Sequence, residues 1–483
     1  MARVIVWGSA RVMREKTIRL FLIAAVLIGS LFLGRVLVKS PDIGLAIIAG
    51  LVPALVCAWV TVRGNEDRRF LLRLFTAALI VRWLLASVIY YTSQQEFFGG
   101  DSVTYDAFGY ALSQSWHGIV DANSYWLIRF TSLDRPGWGM YYFVASIYYI
   151  IGQNQFALQL INGALGAGTC VAVYRIAMFV YPEQRVARTA ALMTAFAPSM
   201  ILWSSQALKD APIVLCLCLC TLYTLKLRAR WNLKSFLLLS IYLFCLFALR
   251  HYAFYIIFVA IAGTFLFAAK RFTPLKVLQG AILVIVIGVA FVYFGAADVA
   301  QQTFDLKRIQ SGRVWSAKVA TSGFGGDVDI TDPRAAIGFL PIGIMYVLFA
   351  PFPWMVTNLR QLITLPELIA WWLLVPMMIR GYWYLLKHRL RESFAICVFI
   401  VGLIFAYALY QSNTGTAYRH RAQLYGFFFV FISVGLELRR TARLRKFGRA
   451  GPLGPTGVPV VAVAGQGGFP VTSPQSRNSQ QQG

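Results

Sequence analysis

Apolar stretches of about twenty residues recur along nearly the whole chain, separated by short polar turns. A run of that length crosses a bilayer as a helix. Backbone inside lipid has to satisfy its own hydrogen bonds, so helices are the expected element. The pattern predicts spans at 17–38, 42–62, 70–92, 155–178, 189–203, 211–227, 235–250, 252–269, 277–295, 362–379, 392–411 and 420–437. The alternation of a membrane β-barrel is absent. The fold class expected is an all-α polytopic membrane protein with about twelve transmembrane helices plus interfacial ones.

Two further apolar stretches, 136–151 and 336–352, are resolved by charge. Basic residues mark cytoplasmic loops. With the N-terminus in the cytoplasm, the segments 1–16, 63–69, 181–188, 226–234, 270–276, 380–391 and 438–449 fall on that side and hold 26 of the 45 Lys and Arg. That agreement requires 136–151 and 336–352 not to cross, so both are read as interfacial or re-entrant. Trp138, Tyr141, Tyr142, Tyr148 and Tyr149 suit the first to the headgroup level. Two outer loops then follow, 93–135 continuing through the interfacial helix to 154, and 296–335. The chain divides into an N-terminal pair of spans (1–69), a central module (70–295), the second outer loop (296–335), C-terminal spans (336–437) and a basic tail (438–483). Both termini are expected in the cytoplasm, and the Gly-, Pro-, Ser- and Gln-rich stretch after Arg449 cannot bury a core.

Composition agrees. Apolar residues make up 58% and charged ones 13%, against about 25% charge in soluble proteins. The net charge of +26 reflects orientation and anionic headgroups, not nucleic-acid binding. All seven cysteines lie in apolar segments; Cys216, Cys218 and Cys220 have no His or carboxylate beside them, which argues against zinc. No phosphate loop or dinucleotide fingerprint is present.

Four polar clusters remain, all assigned to the outer face. Asp101 follows Gly99 and Gly100 at the start of a short amphipathic helix carrying Tyr105, Phe108, Leu112 and Trp116. It either caps that helix or accepts a proton from an acceptor group. Asp106 reads as a solvated helix residue. Lys209 and Asp210 precede Pro212 at the mouth of the next span, where capping and phosphate binding are both open. Arg250 and His251 sit between two short spans. Arg can hold a phosphate in a bidentate way or merely snorkel. Tyr418, Arg419, His420 and Arg421 form a basic cluster on the face where the orientation rule does not ask for one, which favours anion recognition. Arg82 lies deep in 70–92 and is expected to face the bundle interior.

Several of these elements resemble the GT-C superfamily of membrane glycosyltransferases. The nearest branch is the family 39-like enzymes, with protein mannosyltransferase and aminoarabinose transferase types. The resemblance rests on Asp101 with Tyr105 after a first core span, and on an interfacial helix from Arg135-Pro136-Gly137-Trp138 to Gly152. It continues through Gln159-Leu160-Ile161-Asn162-Gly163-Ala164-Leu165, the basic turn at Arg185 and Arg188, Pro198, and Asp210 at the next outer turn. It covers residues 70–270. The chain departs from the family in having a single Asp at 101 and two extra spans before the core.

The resemblance implies inverting transfer of a hexose or pentose from a polyprenyl-phosphate carrier to a glycan, lipid or protein acceptor. The active site would face outward from a bacterial inner or plasma membrane. Asp101 and Asp210 take the catalytic acidic positions, with Tyr105 and Asp106 near the reacting groups. Lys209, Arg250, His251, Arg419 and Arg421 are the carrier-phosphate candidates. A divalent cation is possible on this resemblance. The rival expectations are a polysaccharide polymerase or ligase and a lipid-linked glycan flippase or transporter.

Overall fold

The computed structural model describes residues 41–63, 67–133, 137–267, scattered positions between 281 and 293, 295–320, 322–356 and 358–446. Among them the chain is helical, with no strand beyond an isolated bridge between Gly323 and Asn413. The elements of the first half are α1 (Pro41–Val62), α2 (Arg68–Tyr91), α3 (Gln95–Gly99), α4 (Asp101–Trp116), α5 (Tyr125–Thr131), α6 (Gly139–Ile151), α7 (Gln155–Val180), α8 (Gln184–Phe196), α9 (Pro198–Ser204) and α10 (Asp210–Ala229). Those of the second half are α11 (Leu233–Leu249), α12 (His251–Phe267), α13 (Ala296–Phe304), α14 (Leu306–Val319), α15 (Pro333–Phe349), α16 (Leu359–His388), α17 (Leu390–Tyr410), α18 (Thr414–Ala422) and α19 (Tyr425–Lys446).

Among the described residues, six helices are long and apolar enough to cross a membrane, or eight if the bent pairs α8–α9 and α18–α19 each count as one span. Expected spans 235–250 and 252–269 appear as the shorter apolar helices α11 and α12. Spans 17–38 and most of 277–295, and the stretch after Arg449, lie outside the described residues. Helix α16 is longer than the predicted 362–379. Its polar end, with Arg380, Lys387 and His388, stays helical, so little of the expected 380–391 loop is irregular. The stretches 136–151 and 336–352 form α6 and α15, of 13 and 17 residues.

Local chemistry fixes the ends. Asn154, Asn232, Asn358 and Asn413 accept backbone N–H bonds at the starts of α7, α11, α16 and α18, satisfying donors that no helical carbonyl reaches. Pro198 opens α9 after a 56° bend from α8. Helix α7 is the hub: it packs against α1, α2, α8 and α10 and is buried almost throughout. The described residues of 296–335, the expected second outer loop, are packed against their neighbours. Arg313 of α14 is fully buried and donates to the carbonyls of Leu409, Gln411 and Gly325. The backbone bonds Phe324 N to Ser412 O and Thr414 N to Ser322 O fasten the loop beside α18.

Helices α16 and α19 approach so closely at Gly381 that a methyl group there would collide with the Phe431 carbonyl. Gly381→Ala is expected to cost about 1–3 kcal/mol of overpacking. Gly338→Ala, on a helix face with open space around it, should be neutral or slightly stabilising. Thermal midpoints of the two purified variants check this.

One compact unit spans Met1–Gly435. A second, Leu436–Gly483, is described only over the basic end of α19, where Arg440 pairs with Glu437 at 3.4 Å.

Candidate functional site

Asp101 and Asp210 are each the first residue of a helix, α4 and α10. The positive end of a helix favours a carboxylate there. Neither helix start has a side-chain capping bond, so capping does not account for either aspartate. The turn before α4 fits against the turn before α10 because Gly99 has no side chain: a Cβ would sit 3.0 Å from Leu208 and 3.1 Å from Gln206. The turn before α10 is held from behind. Asn162 of α7 donates to the carbonyls of Gln206 and Leu208, both at 2.7 Å. Arg82, fully buried, donates to Ser204 Oγ at 2.9 Å and to the carbonyls of Ala78, Ala195 and Thr194. Arg82 therefore meets neither a carboxylate nor a phosphate but fixes the bend between α8 and α9.

Arg419 of α18 joins the two aspartates. Its Nη1 lies 2.7 Å from Asp101 Oδ2, and its Nε and Nη2 lie 2.8 and 2.5 Å from Asp210 Oδ2. Asp210 Oδ1 accepts from Gln423 Nε2 at 2.5 Å. Gln423 Oε1 in turn accepts from Arg250 Nη1 at 2.7 Å and from the Tyr407 hydroxyl at 2.6 Å. The network thus runs Arg250–Gln423–Asp210–Arg419–Asp101. Burial grades along it: the side chains of Asp210 and Arg419 are 3% and 13% exposed, that of Asp101 54%. Both Asp210 oxygens are occupied, while only one Asp101 oxygen is.

Lys209 and His251 lie beside this network, and among the described residues neither has a side-chain hydrogen bond or ion pair with it. Lys209 forms no ion pair among the described residues; its Nζ lies 5.9 Å from the Tyr105 ring centroid. Burial pushes its ammonium down to about 8, with the Arg250 charge adding to the push. His251 is 2% exposed, stacks on Phe247, and has neither ring nitrogen hydrogen-bonded among the described residues. Tyr105 lies one helical turn from Asp101 and packs against Tyr141. Burial, reinforced by the Asp101 charge, holds its phenol well above the usual range, so it remains a donor.

Two expected site residues lie elsewhere. Asp106, five residues after Asp101, is rotated about 140° around a helix of 3.6 residues per turn. It accepts from the Tyr148 hydroxyl and from Gln153 Nε2, tethering α4 to α6, and is partly exposed outside the Arg419 network. Arg421, two residues after Arg419, turns away from the aspartates. It is fully buried and donates to the carbonyls of Val347, Leu348 and Ala350 at the end of α15. These carbonyls lie where the helix stops, and that of Leu348 also accepts from Trp371 Nε1 at 2.7 Å.

Three residues around the site escaped the sequence reading. Gln423 sits in an apolar run and gives no signal there. Glu367 lies inside span 362–379, where a carboxylate is expensive in lipid, and that signal was available. It accepts from the backbone N–H and Oγ of Ser199 and from the Tyr418 hydroxyl, bracing α9 against α18. Arg360 begins α16 and stacks over Phe97 at 4.5 Å; at a span end it looks like an ordinary anchor. Arg360 and Arg419 both line a cavity of about 450 Å³. Among the described residues no three His, Cys, Asp or Glu side chains converge. The Arg419 guanidinium already bridges the carboxylates of Asp101 and Asp210, so the set does not suit a divalent cation.

Residues 134–294 match the profile of the family described as dolichyl-phosphate-mannose-protein mannosyltransferase. The matched stretch includes Lys209, Asp210, Arg250 and His251. The curated proteins contain no match. Among solved structures, the chain is similar to the Archaeoglobus fulgidus oligosaccharyltransferase in the apo form, at 13% identity and a TM-score of 0.45. The similarity covers 78% of this chain and 52% of that one, so the chain spans about half the length of that enzyme. The family match covers 161 of the 483 residues, a third of the chain.

Proposed function

We propose that the chain moves a glycosyl unit from a polyprenyl-phosphate carrier to an acceptor hydroxyl at the outer membrane face, by one inverting displacement. The observation that carries this reading is the Arg419 bridge: it fixes a half-exposed carboxylate, Asp101, beside a partly buried Lys209 that forms no ion pair among the described residues. The acceptor O–H donates to the open oxygen of Asp101. As its oxygen bonds to the anomeric carbon, the bond from that carbon to the phosphate oxygen breaks and the proton passes to Asp101. Glycosyl displacement passes through an oxocarbenium-like state. The acceptor proton becomes acidic only as the new bond forms, so a carboxylate suffices as base. Lys209 and His251 meet the charge developing on the leaving phosphate. Asp210, with both oxygens committed, acts through Arg419 as a positioning residue, and Gln423 and Arg250 hold it in turn.

The test is incubation of the reconstituted protein with a labelled polyprenyl-phosphate sugar and extracted envelope glycans. Label moving to a water-soluble or new lipid-linked product supports transfer. Label crossing a vesicle bilayer unchanged on its carrier supports transport and removes this proposal.

Lys209 gives the reading a pH signature. Its ammonium is charged below about 8 and neutral above. Donor KM is therefore expected to rise as pH passes from 7 to 9, by about ten- to a hundredfold if a charge-assisted contact of ~1.5–3 kcal/mol is lost. Lys209→Arg, charged throughout, should flatten that rise. A donor KM insensitive to pH in the wild type would separate Lys209 from the carrier.

A further inference from the structure

The 450 Å³ cavity is bounded by α9, α16, α18 and the second outer loop, and its lining includes Gly100, next to Asp101, and Arg419. None of Lys209, Arg250 and His251 lines it. The cavity therefore borders the Asp101–Arg419 pair, while Lys209 and His251, the residues assigned to the carrier phosphate, lie outside its lining. We infer that this cavity holds the acceptor, and that the acceptor is a short anionic saccharide whose charged group rests on Arg360. The inference builds on the transferase reading above and names the substrate class that the reading leaves open.

Three observations carry it. The volume falls within the ~300–1,000 Å³ of small-ligand sites: room for a short glycan, not for a folded protein. The lining is of the kind that sugars engage, with amide and hydroxyl groups from Asn358, Thr364, Thr414 and Thr416 set against the aromatic faces of Trp203 and Tyr418. Thr414 Oγ1 is buried to within 1% and lacks a hydrogen-bond partner among the described residues; a buried hydroxyl in that state is costly until a ligand group meets it. Third, the described lining contains two arginines and no carboxylate. Arg419 is spent on Asp101 and Asp210, and the nearby Glu367 is occupied by Ser199 and Tyr418. Arg360 forms no ion pair among the described residues, and its guanidinium is set in place by Phe97. A cleft lined by one sign of charge gathers the opposite sign.

The test uses the full chain in nanodiscs without donor, so its result is independent of whether transfer occurs. Tryptophan fluorescence is followed while trigalacturonate, its full methyl ester, mannose 6-phosphate or mannose is added. At least one anion is expected to bind tenfold or more tightly than its neutral counterpart; which of the two does so tells a uronate from a phosphosugar. Trp203→Phe should remove the fluorescence change, and Arg360→Gln should reduce the anion's affinity to that of the neutral form. Equal binding of charged and neutral sugars, binding of none, a signal that survives Trp203→Phe, or a charge preference that survives Arg360→Gln would each overturn the inference.

Discussion

Asp101→Asn is expected to lower glycosyl transfer by about 10²- to 10⁴-fold, the usual contribution of a positioned general base, and to leave the folded chain intact. The asymmetry of the ion pairs explains the second half. Asp101 is more than half exposed, and exposed pairs contribute only ~0–1 kcal/mol. Its loss leaves Arg419 still paired with buried Asp210. An amide keeps the shape and one acceptor oxygen but cannot take the acceptor's proton. The measurement is release of label from a polyprenyl-phosphate sugar, set beside the thermal midpoint of the same preparation. Transfer at near the wild-type rate by a folded Asp101→Asn protein would remove Asp101 from the chemistry.

The opposite pattern is expected for Arg419→Gln. Removing one partner of a buried ion pair typically costs ~3–5 kcal/mol, because the other charge stays behind uncompensated. Here Asp210, 3% exposed, would keep only the Gln423 hydrogen bond. Arg419→Gln should therefore lower the melting temperature strongly as well as abolish transfer. Adding Asp210→Asn removes the stranded charge and should recover most of the stability but none of the activity. A double-mutant cycle on thermal unfolding reads the coupling directly. Additive losses would show that the two side chains do not depend on each other.

The sequence pattern was legible wherever one physical rule acted alone. Spans 42–62, 70–92, 155–178, 211–227 and 392–411 appear as single helices because long apolar runs have no other way to sit in lipid. Bends at Ala197 and between α18 and α19 turned two expected spans into broken pairs; Pro198 announced the first, and nothing in the local sequence announced the second. The gathering of Asp101, Asp210, Arg250 and Arg419 followed from reading all four on one face. The direction of each side chain did not. Asp106 and Arg421 share neighbourhoods with true network members and point elsewhere, since helical rotation separates residues two or five apart. Gln423 carries no charge and breaks no pattern, yet it links Asp210 to Arg250. Such a role is decided by tertiary approach.

Arg419 lies 209 residues after Asp210 and 318 after Asp101. During synthesis the helix that starts at Asp210 enters the membrane long before its counter-charge leaves the ribosome. A nascent chain shorter than about 419 residues has an aspartate at that helix start with no guanidinium to meet it. Completion of the Asp101–Arg419–Asp210 network is thus tied to the arrival of α18, the second-to-last helix among the described residues.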